Sequence, residues 1–268
     1  MRNKFVHEDQ LALIFDDVID AVLDPIPEAP PAVIAPVAYA AKVVAKVIEP
    51  EVFFCITDQL DRFSGEVSKI RENIAALEVL HEGAGNLQMI GAEKRNVLVR
   101  YTGWGGAANV FGPDTKYKAE QARLVSLLDK PQYEAARASV LSAYYTPPAA
   151  VRAMWKIVSE MGFTGGKVLD PSAGIGHFTG CMPQELRAAS QVTMIEPDFV
   201  SALIAKALYA GRSTKVICCG IEDAPLRANS FDLAISNIPF GNFKVNDKRF
   251  NAMKLVIHDY FFAKAMDL

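Results

Sequence analysis

Hydrophobic positions along the chain change period more than once, and those changes mark its organisation. In residues 1–24, Leu11, Leu13, Ile14, Val18, Ile19 and Val22 recur at roughly helical spacing and predict a short amphipathic helix. Pro25, Pro27, Pro30, Pro31 and Pro36 follow. Proline fixes φ and carries no amide hydrogen, so residues 25–36 read as a stiff, non-helical linker. From about Val37 to Arg100 the pattern is mostly helical again, most clearly over Glu66–Leu80, where Val67, Ile70, Ile74, Leu77 and Leu80 share a face. Gln132–Leu141 predicts a further helix. Another is expected to run to about Met161, with Thr146 as N-cap and Pro147 at the first helical position.

At Lys167 the period shortens. Lys167–Asp170, Val192–Ile195, Lys215–Cys218 and Phe231–Ile235 are short apolar runs separated by helical stretches, notably Phe199–Tyr209. Short apolar strands alternating with helices imply parallel βαβ units and a doubly wound, Rossmann-like α/β sheet. The expected division is residues 1–36 (helix and linker), 37–142 (a helical appendage) and 143–268 (the α/β domain). The helix Leu255–Leu268 is expected to pack on the sheet. In such sheets ligands sit beyond the carboxyl ends of the strands, where strand order reverses.

Composition narrows the function classes. A hydrophobic fraction of 51% and a charged fraction of 22% suit a globular enzyme. With net charge −3 and pI ≈ 5.9, any nucleic-acid contact must be local or supplied elsewhere. Cys55, Cys181, Cys218 and Cys219 lack paired zinc-site spacing and read as buried free thiols of a reducing compartment, and no metal is expected. The acidic N-terminus is no secretory signal. Lys42 and Lys46 interrupt the apolar stretch Ala32–Ile48, which is too short to span a bilayer, so a cytoplasmic, membrane-free protein is expected.

Chemistry concentrates at the strand ends. After the first strand, Asp170–Phe178 (DPSAGIGHF) places Gly174 and Gly176 where backbone can turn tightly and approach a ligand. Thr179 stands where a dinucleotide fingerprint needs glycine, which disfavours a nicotinamide enzyme. Glu196, before Pro197, ends the second strand and can accept both hydroxyl hydrogens of a ribose. After the third strand, Glu222 or Asp223 can accept from an adenine amino group while Ile221 packs on the ring; Asp223 reads equally as a helix N-cap. After the fourth comes Ser236–Gly241 (SNIPFG). An exocyclic amine on an aromatic ring is a poor nucleophile because its lone pair is delocalised. The Asn237 side-chain carbonyl and the Ile238 main-chain carbonyl can accept its two hydrogens and draw it toward tetrahedral geometry. Pro239 stiffens the turn and Phe240 offers a ring for stacking.

Upstream, Tyr101–Gly106 (YTGWGG) is either a close backbone approach to a ligand or a tight loop pinned by a buried indole. Lys244, Lys248 and Arg249 read either as phosphate contacts or as a solvated loop, and His177 as a packing or solvent residue rather than a proton shuttle.

In combination these stretches resemble the S-adenosyl-L-methionine-dependent amino-methyltransferases. Tyr145-Thr146-Pro147 resembles the upstream cofactor motif, and Asp170–Phe178 the first cofactor loop, with Ser172, Ala173, Gly174 and Gly176. Glu196 with Pro197 resembles the ribose acid, Glu222 or Asp223 the adenine-contact acid, and Asn237–Phe240 the catalytic N-P-P-[YF] turn, Asn237 also facing the cofactor. More narrowly, Arg100–Gly106, Ser236–Asn251 and His258–Leu268 look like the methylase module of large methylase–helicase proteins of phages and conjugative elements. The resemblance covers roughly residues 65–268 and implies an adenine-N6 DNA methyltransferase with a flipped-out target base. Protein glutamine, an RNA base, or a non-catalytic anti-restriction module are the alternatives it leaves. Two departures stand out: Ile238 replaces the usual first proline, and the count of strands falls short of a complete sheet. The latter implies a partial catalytic domain, whose partners would be a missing C-terminal portion or a downstream helicase region.

Overall fold

The computed structural model describes residues 53–57, 65–83, 87, 90–113, 115–141 and 145–268. The expected helix over 1–24, the linker over 25–36 and the start of the helical region lie outside the described residues. From residue 53 onward the described chain belongs to one compact unit.

At its centre is a parallel sheet of β1 (Gly166–Asp170), β2 (Ser190–Ile195), β3 (Thr214–Ile217) and β4 (Leu233–Ala234), in the order β3-β2-β1-β4. β1 pairs with β2 from Gly166–Ser190 to Asp170–Met194, and with β4 at Val168–Leu233 and Leu169–Ala234. Strand order reverses between β1 and β4, which opens a crevice above their carboxyl ends, as expected of a doubly wound methyltransferase sheet. β4 is shorter than its apolar run because both ends are diverted. The Asp232 carboxylate accepts from the Lys167 amide (2.8 Å), and the Phe231 amide donates to the Leu268 carbonyl (3.0 Å). Cys218 lies beyond the end of β3.

The helical layer comprises α1 (Glu66–Glu82), α2 (Ala92–Leu98), α3 (Lys118–Leu127) and α4 (Lys130–Ala138). α1 buries Ile70, Ile74, Leu77 and Leu80 as its periodicity predicts, while Val67 is only half-buried. α4 opens with a capping box between Asp129 and Gln132.

α5 (Pro148–Glu160) starts one residue later than expected. Pro148 pushes the residue before it out of the helical region, so Pro147 (ψ 137°) is the N-cap. Thr146 makes no cap, and its hydroxyl is buried without a hydrogen-bond partner. After β1 comes the short α6 (His177–Gly180), then α7 (Gln184–Ala188) before β2. α8 (Phe199–Tyr209) follows β2, capped by Asp198, whose carboxylate accepts from the Ser201 amide and hydroxyl. α9 (Ile257–Asp267) lays Ile257, Tyr260 and Phe261 against Leu169, Ile195 and Ile217 of the sheet, whereas Phe262 is exposed.

Asp223 caps no helix; its amide closes a turn onto the Gly220 carbonyl. The cysteines are free, but only Cys181 is buried as expected; Cys218 and Cys219 are half-buried and Cys55 is exposed. Phe54 and Ile56 donate their amides to Leu208 and Gly180, and the alternation of an extended segment turns Ile56 inward and Cys55 out. Among the described residues no helix is long and apolar enough to cross a membrane.

Candidate functional site

A cleft of about 600 Å³ opens over the carboxyl ends of the strands, within the usual size for a small ligand or cofactor. Its floor is the turn after β1. Pro171 ends the strand, the Ala173 amide donates to the Ile195 carbonyl (3.0 Å), and the Gly174 amide donates to Glu196 Oε2 (2.7 Å). Gly174 has φ +56°, and a Cβ there would lie 2.7 Å from Cε1 of Tyr145. Only glycine permits this approach. Gly176 instead serves packing, since a Cβ would strike Tyr209 and Met194.

Glu196 holds the floor to the next turn. Its Oε1 accepts from the Asp198 amide (2.7 Å), so each carboxylate oxygen keeps a lone pair for a ligand hydroxyl. Burial pushes its carboxyl up to about 7. Asp170 is 1% exposed and likewise raised to about 7 by burial. It lies beneath the cleft rather than in its wall. Oδ1 accepts from the Ser236 hydroxyl (2.7 Å) and more weakly from the Ser172 amide (3.4 Å), while Oδ2 is buried without a partner. Thus a strand-end acid ties the turn after β1 to the turn after β4.

That second turn carries Asn237, Ile238, Pro239 and Phe240, all on the cleft wall. Asn237 is exposed; Phe240, 72% exposed, stands at the mouth with its ring 5.9 Å from His258. The two turns therefore share one cleft. On the β3 side, Ile221 is buried and Glu222 folds its carboxylate over Gly220. Both line the cleft, whereas Asp223 is exposed and is not part of its lining.

At the opposite corner the Tyr145 hydroxyl hydrogen-bonds with Ser201 Oγ (2.9 Å) and its ring meets His177 edge-on. His177 Nδ1 donates to the Thr146 carbonyl (2.9 Å), and burial lowers its pKa, which keeps the imidazole neutral. His177 is a buried lining residue, as its packing reading implied.

Of the site residues read from sequence, Tyr145, Thr146, Ser172, Ala173, Gly174, Phe178, Glu196, Pro197, Glu222 and Asn237–Phe240 line the cleft. Pro147, Asp170, Gly176 and Asp223 support it or lie outside it. Sequence reasoning missed Ser139, Asp198 and Phe243, which also line it, and gave Tyr101 and Gly103 no role beyond their glycine-rich loop. In the Tyr101–Gly106 loop the indole is buried, with Trp104 2% exposed, as the pinned-loop reading expects, and Tyr101 and Gly103 line the cleft.

These features fit an adenosyl sulfonium ligand. The Gly174 cradle has no space for a side chain, Glu196 lines the cleft with a lone pair left on each oxygen for a ribose hydroxyl, and Ile221 offers an apolar surface for a base.

Residues 169–258 match the model of a methyltransferase domain. The matched span runs from β1 into α9 and holds the strand-end turns of the cleft. A stretch of 130 residues, 47% of this chain, is 29% identical to "Defense against restriction protein B" of Escherichia phage P1; it spans 6% of that protein's length. Among solved structures, the chain resembles a putative class I S-adenosylmethionine-dependent methyltransferase of Listeria monocytogenes (14% identity, 74% of this chain and 69% of that one, TM-score 0.39). It also resembles a type I restriction-modification methyltransferase subunit of Streptococcus thermophilus (13%, 73% and 49%, 0.35). A third likeness is to a putative RNA methyltransferase of Pyrococcus horikoshii (20%, 47% and 58%, 0.35). The domain match and the cleft agree on S-adenosyl-L-methionine as the cofactor.

Proposed function

We propose that this chain transfers a methyl group from S-adenosyl-L-methionine to the N6 amine of adenine in DNA. One observation carries the reading: the Gly174 turn and the Asn237–Phe240 turn face a single cleft, linked by the 2.7 Å hydrogen bond from Ser236 to Asp170. When bound, the cofactor supplies an electrophilic methyl on a sulfonium. Gly174, Glu196 and Ile221 hold it, with Tyr145, Thr146 and Glu222 at either end.

The Asn237 side-chain carbonyl and the Ile238 carbonyl accept the two amine hydrogens and localise the nitrogen lone pair toward the methyl. With the cofactor bound, the nitrogen would take the methyl as the methyl's bond to sulfur breaks, and the amine would then give up one proton to water. No strong base is needed, which agrees with a neutral, buried His177. Phe240, exposed at the mouth, is placed to stack on a base flipped out of the duplex, worth ~1–3 kcal/mol. Ile238 keeps the carbonyl that the chemistry uses, and Pro239 retains the stiffness of the turn.

The name of the phage relative, defense against restriction, fits base methylation. It fits equally a module that keeps the cofactor without turnover. Incorporation of labelled methyl groups into unmethylated DNA separates the two, and digesting the product with nuclease or protease separates DNA from protein targets. Asn237→Ala is expected to lower transfer about a hundredfold, as loss of one preorganised polar contact does elsewhere. Undiminished transfer by that variant removes the mechanism.

A further inference from the structure

The residues that the helical layer sends into the cleft have no part in the chemistry above. Tyr101 and Gly103 come from the loop after α2, and Ser139 from the turn after α4. That loop is held from several sides. Asn73 of α1, fully buried, donates Nδ2 to the Gly103 carbonyl (2.6 Å) and accepts from the Thr102 amide (3.0 Å). Lys69 Nζ donates to the Gly105 carbonyl (2.6 Å), and the buried Trp104 ring meets Tyr101 edge-on at 6.4 Å. The product is a tyrosine ring fixed at the cleft, edge-on to Tyr145 at 6.4 Å.

Strand order sets which part of an adenosyl ligand lies where. Ile221 and Glu222 follow β3, Glu196 ends β2, the Gly174 turn follows β1 and Asn237 follows β4. The base and ribose take the β3 and β2 side. The Tyr101–Tyr145 corner, which abuts Gly174, is left for the portion beyond sulfur: a short chain ending in an ammonium and a carboxylate. Burial, and then the charges of Asp198 and Glu196, push the Tyr101 hydroxyl well above its ordinary value. The same negative field favours an ammonium.

We propose that Tyr101 is a wall of the subsite for the amino-acid end of the cofactor, and that Asn73 is the positioning residue that holds it there. The helical layer is then part of the cofactor site, whatever the methyl acceptor.

The test is calorimetric titration of the full chain with two ligands. S-adenosyl-L-homocysteine carries the amino-acid end; methylthioadenosine lacks it. Tyr101→Leu and Asn73→Ala should each weaken the first ligand about tenfold and leave the second within about twofold. Tyr101→Phe, which keeps the ring, should restore most of the loss. Asn73→Ala decides the matter if Tyr101→Leu does not fold. Equal losses for both ligands would mean that the layer only supports the fold, and unchanged affinity for both would mean that it does not touch the cofactor; either overturns the assignment. A wild-type chain that binds neither ligand also overturns it.

Discussion

Asp170 and Glu196 are two buried carboxyls that burial pushes to about 7, and neither has a cationic partner among its hydrogen bonds. A folded value raised above the unfolded one favours the native state fully below the unfolded value, near 4. That advantage is lost as pH rises through about 7. The ligand-free protein should therefore melt at a lower temperature at pH 8 than at pH 5. Asp170→Asn keeps an acceptor for Ser236 without the buried charge, so it should raise the melting temperature at pH 8 and flatten the profile between about pH 4 and 7. Thermal melts across pH check this; a profile unchanged by the substitution contradicts it. Gly174→Ala is the second prediction at this scale. Its Cβ would lie 2.7 Å from Tyr145 at a φ that side chains rarely adopt, so homocysteine-ligand binding should fall by at least about tenfold in calorimetry. Gly174 and Glu196 were legible in the sequence because turn glycines and strand-end acids advertise a position relative to a strand. Tyr101 was not. Its loop announces a turn, but the cleft it faces depends on how Asn73 pins it from a distant helix.

At the scale of elements, the segment from Gly241 to Lys254 shows what one buried acid does for a long connection. Asp247 is 8% exposed, and its carboxylate accepts from Lys264 Nζ (2.9 Å), Tyr260 OH (2.9 Å) and the Arg249 amide (3.0 Å). Burial pushes its carboxyl up, but these donors outweigh it and hold the group below its ordinary value. Its contribution is thus present above the unfolded value near 3.8 and lost as pH falls through the lower folded value. Asp247→Ala would strand a buried ammonium and a buried phenol on α9, and should cost about 3 kcal/mol in denaturant unfolding at neutral pH. Asp247→Asn, which keeps an acceptor, should cost less. Elements with a strong period were readable from the chain alone: α8 spans Phe199–Tyr209 as its pattern predicts, and α1 extends its expected span by two residues. What could not be read were ends decided by distant partners. β4 is clipped by Asp232 and by the Leu268 carbonyl, and α5 starts at Pro148 because Pro147 cannot be helical there.

For the molecule as a whole, the sequence suggests a domain boundary near residue 142, yet contacts run across it. Tyr101 meets Tyr145, Asn73 and Lys69 hold the loop that carries Tyr101, and the Phe54 and Ile56 amides bond to Leu208 and Gly180. When two layers share a buried seam of this kind, neither keeps its core if the other opens, so unfolding should be cooperative. A ligand in the cleft touches both layers and should stabilise them together. At a concentration about 100 times its Kd the gain is ~2.7 kcal/mol. We therefore expect one thermal transition for the described residues, shifted upward as a unit by S-adenosyl-L-homocysteine. Hydrogen-exchange protection should rise in α1 and at Thr102 as well as in the Gly174 turn. Two transitions, of which only the one reporting on the sheet responds to ligand, would show the helical layer to be energetically separate. Exchange at Thr102 is the sharper readout, because among the described residues its amide donates to Asn73 and it lies outside every helix and strand. Ligand-dependent slowing there requires that occupancy of the cleft be felt through the loop into α1.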